Sequence, residues 1–398
     1  MANVDSVGGY MKVALISHEG GGISSVSYGL GKSLARKGID TTIFTGVDIS
    51  APRTERLNDH LEVTYLPRPD FAPRNLWFQA INIKRLLELL KDYTIVHGVS
   101  PHASFALTFF KRRLAKPFVA TIHECHRTSQ RAFVNQPTTS WTLRDLGFFI
   151  LEFPLHDFSV RRVLDSSDQA AFCSFTLLRQ VGAYIHLDRD KTSVVYNGIN
   201  FDEIENAEEH QTESRDDIKI IFAGRLYWLK GVMLLLEAFN RIKNDIKNAR
   251  LQIFGKGPLQ QKINKFIADS DLKARVSFQG YVPHRRLLTE IKKSDIVAYP
   301  SLSEAQPMFM LEAMACKKPL LAFDVPFSRE IISDMENGVL ARAGDIEDLS
   351  KKIHLLVHDE KLRRAIGEAA YDHVKRNHNW EKQADNYLKL YERALSHK

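Results

Sequence analysis

Short β-branched runs alternate with longer amphipathic stretches from one end of the chain to the other, the pattern of parallel sheets with crossover helices. In the first half this alternation predicts strands over 13–17, 41–45, 95–97, 118–122, 170–173 and 193–196, with helices over 24–37, 75–90 and 143–164 between them. A polar, acidic segment, 202–217, reads as a linker, and a second series of strands follows at 219–223, 251–254, 276–278, 296–300, 320–323 and 339–341. After the last strand come only helices, over 346–358, over 361–374 and after Trp380. The final helix carries Trp380, Tyr387, Leu390 and Tyr391 on one face, a stripe that must be buried against a sheet. We therefore expect an α/β protein of two domains, 11–201 with 379–398 and 218–378. Residues 1–10 read as a disordered extension.

Composition narrows the class. The chain has 398 residues, 44% hydrophobic and 26% charged, which excludes a small disulfide-stapled module and a disordered chain. Net charge is +7. Within 74–131, ten basic residues stand against three acidic ones, so the positive charge is concentrated there. Three scattered cysteines, Cys125, Cys173 and Cys316, fit neither a disulfide framework nor a thiolate metal site and suggest a reducing compartment, the cytoplasm by default. No apolar run approaches the ~20 residues that span a bilayer. The first ten residues have no signal-peptide pattern.

Chemistry gathers at the predicted strand ends. Ser17-His18-Glu19-Gly20-Gly21-Gly22 links the first strand to a helix, a topology in which backbone NH groups can receive an anion. At the start of the second series, Gly224-Arg225 and Lys230-Gly231 follow a strand, placing two cations where a diphosphate would bind. Gly255-Lys256-Gly257-Pro258 and Gly280-Tyr281-Val282-Pro283 close the next two strands. The densest signal runs from Pro300 to Cys316: a strand, a loop with Glu304, and a helix from about Pro307 that carries Glu312. The carboxylates of Glu304 and Glu312 can accept from sugar hydroxyls, and the Met308 and Phe309 amides at the helix start can meet a phosphate.

Together these pieces, with Tyr196-Asn197-Gly198-Ile199 and the segment Ile331, Ile332, Asn337, Gly338, resemble the retaining nucleotide-sugar glycosyltransferases of family four over nearly the whole chain. The resemblance implies the GT-B fold, two Rossmann-like domains facing each other across a cleft, with the C-terminal helix returning to the first. It implies that Arg225 and Lys230 bind the donor diphosphate and neutralise the leaving nucleotide, with Gly21, Gly22 and Gly255 lining the donor. Glu312 would hold the ribose, Val282 would meet the base through its backbone, and Glu304 would orient the donor sugar. His123, in Thr121-Ile122-His123-Glu124-Cys125-His126, matches the family's histidine that faces the donor from the first domain.

No metal or resident cofactor is expected, the nucleotide sugar being a co-substrate. His123 to His126 are too close in sequence to converge on one ion, and Asp188-Arg189-Asp190 reads as a solvated turn. The chain departs from the family at Ala305-Gln306-Pro307, where Pro307 removes an NH, and at Lys317 and Pro326-Phe327, which replace common glycines.

The basic stretch Arg74 to Arg131, with Trp77 and Phe78 among its cations, falls on the acceptor domain. It suits a lipid-linked or glycan acceptor and an anionic membrane surface, at the inner face if the protein is peripheral. No recognition motif for nucleic acid accompanies it. The expected activity is transfer of a hexose from a UDP or GDP sugar with retention. A non-catalytic nucleotide-sugar-binding subunit and a GT-B epimerase or glycan synthase remain alternatives.

Overall fold

A computed structural model describes residues 11–18, 21–69, 74–125, 127, 153–207 and 217–396. The extension 1–10, Glu19, Gly20, His126, Arg131, residues 143–152 of the expected 143–164 helix and residues 208–216 of the expected linker lie outside the described residues. The chain divides into two units, one of 1–130, 136–198 and 380–398, the other of 131–135 and 199–379.

The first unit holds an eight-stranded sheet in the order β3-β4-β2-β1-β5-β6-β7-β8. Its strands are β1 (Lys12–Ile16), β2 (Asp40–Val47), β3 (Arg53–Asn58), β4 (Leu61–Pro67), β5 (Ile95–Gly98), β6 (Phe118–Ile122), β7 (Gln169–Phe172) and β8 (Thr192–Val194). All pair in parallel except β3, which runs antiparallel on the edge. The pattern missed β3 and β4. Every residue of β3 is exposed, so Arg53–Asn58 shows no apolar alternation, and its partner lost the hairpin context that would have marked it.

The helix Trp380–Ser396 closes this unit. Trp380, Tyr387, Leu390 and Tyr391 are all buried. The Tyr391 hydroxyl lies 2.9 Å from His97 Nδ1, and Thr121 Oγ1 lies between His97 Nε2 (2.7 Å) and the Tyr387 hydroxyl (3.0 Å). A Cβ on Gly29 would stand 2.0 Å from the Trp380 indole nitrogen, so that glycine makes room for the helix.

The second unit has six strands, all parallel, in the order β11-β10-β9-β12-β13-β14. They are β9 (Ile218–Ala223), β10 (Ala249–Phe254), β11 (Val276–Gly280), β12 (Ile296–Tyr299), β13 (Leu320–Asp324) and β14 (Val339–Arg342). β12 is buried at every residue and β13 at all but its last, as parallel strands covered on both faces require. Ile199, whose NH donates to the His378 carbonyl at 2.6 Å, belongs to this unit, and Phe201–Glu205, part of the segment read as linker, is a short helix.

Both sheets reverse direction of growth between two neighbouring strands, β1 and β5 in the first, β9 and β12 in the second. In open parallel sheets a ligand site forms beyond the carboxyl ends of the strands at that reversal. Each unit therefore has one predetermined place for chemistry.

Candidate active site

In the second unit the loops after β9 and β12 meet at the reversal. Gly231 adopts φ +70° and ends the turn Trp228–Lys230, and a Cβ there would stand 1.9 Å from the Pro300 carbonyl oxygen. Only glycine allows this approach. Leu302 NH then donates to the Leu229 carbonyl at 2.8 Å, and Ser301 Oγ lies 3.1 Å from the same oxygen. The β10 loop is tied in likewise: Gly255, at φ +133°, packs on the Gly224 carbonyl, and Leu226 NH donates to Lys256 O at 3.0 Å.

This packing brings Lys230 onto Glu304. The two side chains form an ion pair and are only 11% and 16% exposed. Glu304 Oε1 also accepts from the Tyr299 hydroxyl at 2.5 Å and Ser301 Oγ at 3.2 Å. Burial, reinforced by the Glu304 charge, pushes the Tyr299 phenol well above its ordinary value, so it stays a donor. Arg225 is exposed, its guanidinium 5.3 Å from the Tyr227 ring centre, and its charge is felt at the Tyr299 phenol. Sequence reasoning gave Lys230 and Glu304 separate duties; the structure couples them and adds Tyr299 and Ser301, which it missed.

The helix Met308–Ala315 starts one residue later than Pro307, which is its N-cap. The NH groups at its first two positions are those of Met308 and Phe309. Proline at the cap leaves these two donors in place; the NH missing from the helix start is that of the cap itself. Glu312, the fifth helical residue, is buried and lies 2.9 Å from Nε2 of His284, the first residue of the helix His284–Lys292. This hydrogen bond raises the imidazole above its ordinary pKa, against an opposing effect of burial. Val282 is buried beside Tyr281, which is 68% exposed with Lys256 Nζ 5.0 Å from its ring centre.

Other motif residues prove structural. Asn337 is buried, accepting from Ser333 NH at 2.8 Å and donating to Ile331 O at 3.2 Å. Lys317 has φ +57°, which explains why glycine is common there; a side chain costs about 1–2 kcal/mol in that conformation. Pro326 fits as the first residue of the turn Pro326–Arg329. Asp188 caps its own turn, accepting from Asp190 NH at 3.0 Å.

In the first unit, Gly21 and Gly22 open the helix Gly21–Arg36 after β1. His123 follows β6, and burial pushes its pKa down to about 4, opposed by Glu124 and a hydrogen bond to the Val99 backbone. Its Nε2 is buried with no hydrogen-bond partner among the described residues. With the ring NH of the other nitrogen held by Val99, Nε2 presents a lone pair. His18, at the end of β1, is likewise lowered to about 4 by burial, and its Nδ1 lies 3.4 Å from Ser100 Oγ. Glu124 meets neither His123 nor Cys125 at a common point; it lies with His102 and His156, residues that no sequence motif marked.

Residues 20–203 match the profile of Glycosyltransferase Family 4, and residues 203–373 that of the Glycosyl transferases group 1. The chain belongs to these glycosyltransferases and has their GT-B fold. It is 25% identical to an uncharacterized glycosyltransferase of Methanocaldococcus jannaschii over 97% of this chain and 99% of that protein. A second from the same organism is 29% identical over 51% of this chain, and the match spans about half, 53%, of that relative's length. The structure of sucrose-phosphate synthase from Thermosynechococcus elongatus shares the fold with a TM-score of 0.79 at 19% identity, covering 98% of this chain and 100% of that one.

Proposed function

We propose that the protein transfers a hexose from a UDP or GDP sugar, with retention and without a metal at the diphosphate, to a hydroxyl of a lipid-linked or glycan acceptor. The observation that carries this reading is the buried Lys230–Glu304 pair at the sheet reversal, where the Arg225 charge also reaches Tyr299. Lys230 and Arg225 supply the positive charge that a departing nucleoside diphosphate needs, a stabilisation present before the reaction begins. The Met308 and Phe309 amides add two aligned donors. Glu312 takes the ribose hydroxyls, the backbone at Val282 the base, and Gly255 allows close approach to the phosphates.

Glu304 reads as an orienting group rather than a nucleophile. Its Oε1 already accepts from Lys230, Tyr299 and Ser301, which lowers its reactivity and leaves the second oxygen to hold a sugar hydroxyl. Retention then follows if the leaving phosphate oxygen takes the acceptor's proton on the face from which it departs. His123, neutral near pH 7, serves a sugar hydroxyl through its lone pair.

The first unit also exposes Phe109, Phe110, Phe158 and Leu155, with Arg112 and Arg113 nearby in sequence and the Arg162 guanidinium 4.6 Å from the Phe109 ring centre. Lys111 is withdrawn from this face by Asp168 at 2.7 Å. Aromatics interleaved with cations suit an anionic bilayer carrying a lipid-linked acceptor. Co-sedimentation with anionic but not neutral vesicles at low salt is the expected result, and equal binding to both excludes it. For the donor, a thermal-shift panel of nucleotide sugars followed by turnover is decisive: no rise in Tm with any nucleoside diphosphate sugar refutes the donor site. Among the described residues no helix is long and apolar enough to cross a membrane.

A further inference from the structure

Three side chains from distant parts of the sequence converge beyond the sheet of the first unit. His102 lies in the turn Pro101–Ser104 after β5, Glu124 two residues past β6, and His156 in the helix Phe153–Ser166. His102 Nε2 is 3.2 Å from Glu124 Oε1 and 3.0 Å from His156 Nδ1. One ligand atom from each residue lies within 4.8 Å of the others. His156 is fully buried, while the side chains of His102 and Glu124 are 31% and 37% exposed. The turn that carries His102 is held firmly: Ser100 caps it through Ala103 NH at 3.1 Å, and the Gln79 amide donates to the His102 carbonyl.

From these positions we infer that His102, Glu124 and His156 bind a divalent transition-metal ion of the zinc class. In a neutral pair of imidazoles, Nε2 of His102 carries at most one proton, yet it faces both a carboxylate oxygen and another ring nitrogen. If it donates to one, it satisfies the other only by sharing that proton; if it accepts from His156, its lone pair faces the Glu124 carboxylate. A cation takes a lone pair from all three atoms at once.

The spacing agrees. Metal–ligand bonds of about 2.0–2.2 Å in a tetrahedron place ligand atoms about 3.3 Å apart, close to the two measured separations. Two imidazoles and one carboxylate suit zinc-class ions rather than magnesium or calcium, which prefer all-oxygen sets. Three protein ligands with two of them partly exposed leave a coordination position open to water or to a ligand oxygen. This binding does not rest on the glycosyl-transfer reading, whose charges lie on the second unit, although Glu124 also acts on the neighbouring His123.

The full chain, stripped by chelator and dialysed, is titrated with Zn(II) by calorimetry and loaded in parallel with Co(II) for visible spectroscopy. One equivalent is expected to bind, with cobalt d–d bands and no sulfur-to-metal charge-transfer band. Affinity should fall by at least about 10–100-fold in Glu124→Gln and in His102→Ala, two partly exposed positions at which circular dichroism should show an unchanged fold. The inference is overturned if wild type takes up no stoichiometric zinc, if either folded variant binds as tightly as wild type, if Mg(II) competes equally, or if a thiolate band implicates Cys125.

Discussion

At the carboxyl edge of the second sheet stand fixed charges: Arg225, the buried pair Lys230–Glu304, and Glu312 hydrogen-bonded to His284. At the corresponding edge of the first sheet stand His18 and His123, with His97 just inside, all three held neutral near pH 7 by burial. The strand order around the reversal is the same in both sheets, so the backbone does not cause the difference. Paired charges at a sheet edge can be redistributed onto a ligand that carries charge of its own, as a diphosphate does. Neutral imidazoles suit a ligand that presents hydroxyls. On the proposed function, the two edges divide donor and acceptor chemistry between them by protonation state as well as by position.

The largest effect should come from Lys230→Ala. It removes the cation of the diphosphate site and strands Glu304 in a buried place with only hydroxyl partners. Breaking such a pair costs about 3–5 kcal/mol of stability, and loss of one transition-state donor about 10²–10³-fold in turnover. Turnover within a few-fold of wild type, measured on folded protein, would break the assignment of fixed charge to the donor edge. Glu304→Gln sharpens the same point. The amide keeps an oxygen for Tyr299 and Ser301 but leaves the buried Lys230 charge without its counter-ion, so Tm should fall, by less than in Lys230→Ala, while kcat should fall about 10²-fold if the carboxylate charge orients the sugar. A loss of stability without a loss of kcat would make Glu304 merely a structural partner of Lys230.

Acid should separate the two units. His97 is fully buried between Thr121 and Tyr391, and its pKa is lowered from 6.5 to about 3. In the unfolded chain it takes a proton from about pH 6.5 downward, and in the folded chain only near 3. The unfolded state therefore binds more protons in this window, and stability falls as pH falls through it. At about pH 5 the cost is on the order of 2 kcal/mol for this group alone, with His18 and His123 acting in the same direction. Hydrogen exchange followed from about pH 7.5 to pH 5 should quicken first in β1, β5 and β6 while β9 to β13 hold. Uniform quickening of both sheets would show that the histidines do not set the acid stability of the first unit.

How much of this was legible in the sequence follows the same division. All six strands of the second unit fall within two residues of their predicted ends; the fully buried Ile296–Tyr299, for one, reads as an unbroken apolar run closed by Pro300. Its candidate residues stand in two short stretches of sequence, so Arg225 and Lys230, and Glu304 and Glu312, could be named. Their coupling could not, since it depends on Gly231 pressing one loop onto the Pro300 carbonyl. In the first unit the Arg53–Asn58 hairpin lacks an apolar face, and His102, Glu124 and His156 are brought together by three separate elements. No spacing rule links positions so far apart.

The smallest predicted effect tests the one histidine that breaks the pattern. His284 lies on the second unit and, unlike its counterparts on the first, has a raised pKa because Glu312 accepts its hydrogen bond. A group whose folded pKa lies above its unfolded value contributes stability that is full below about 6.5 and is lost as pH rises through the folded pKa. The His284 side chain is 46% exposed, so solvent screening limits the pair to about 0.5 kcal/mol. His284→Ala should therefore lower Tm slightly at about pH 6 and hardly at all at about pH 9. If Glu312 must turn from His284 to the ribose, the same variant leaves Glu312 without this competitor, and donor affinity should rise modestly, most clearly in acid. A variant with unchanged Tm at both pH values and unchanged donor affinity would show that His284 is a bystander and that Glu312 is held by its helix alone.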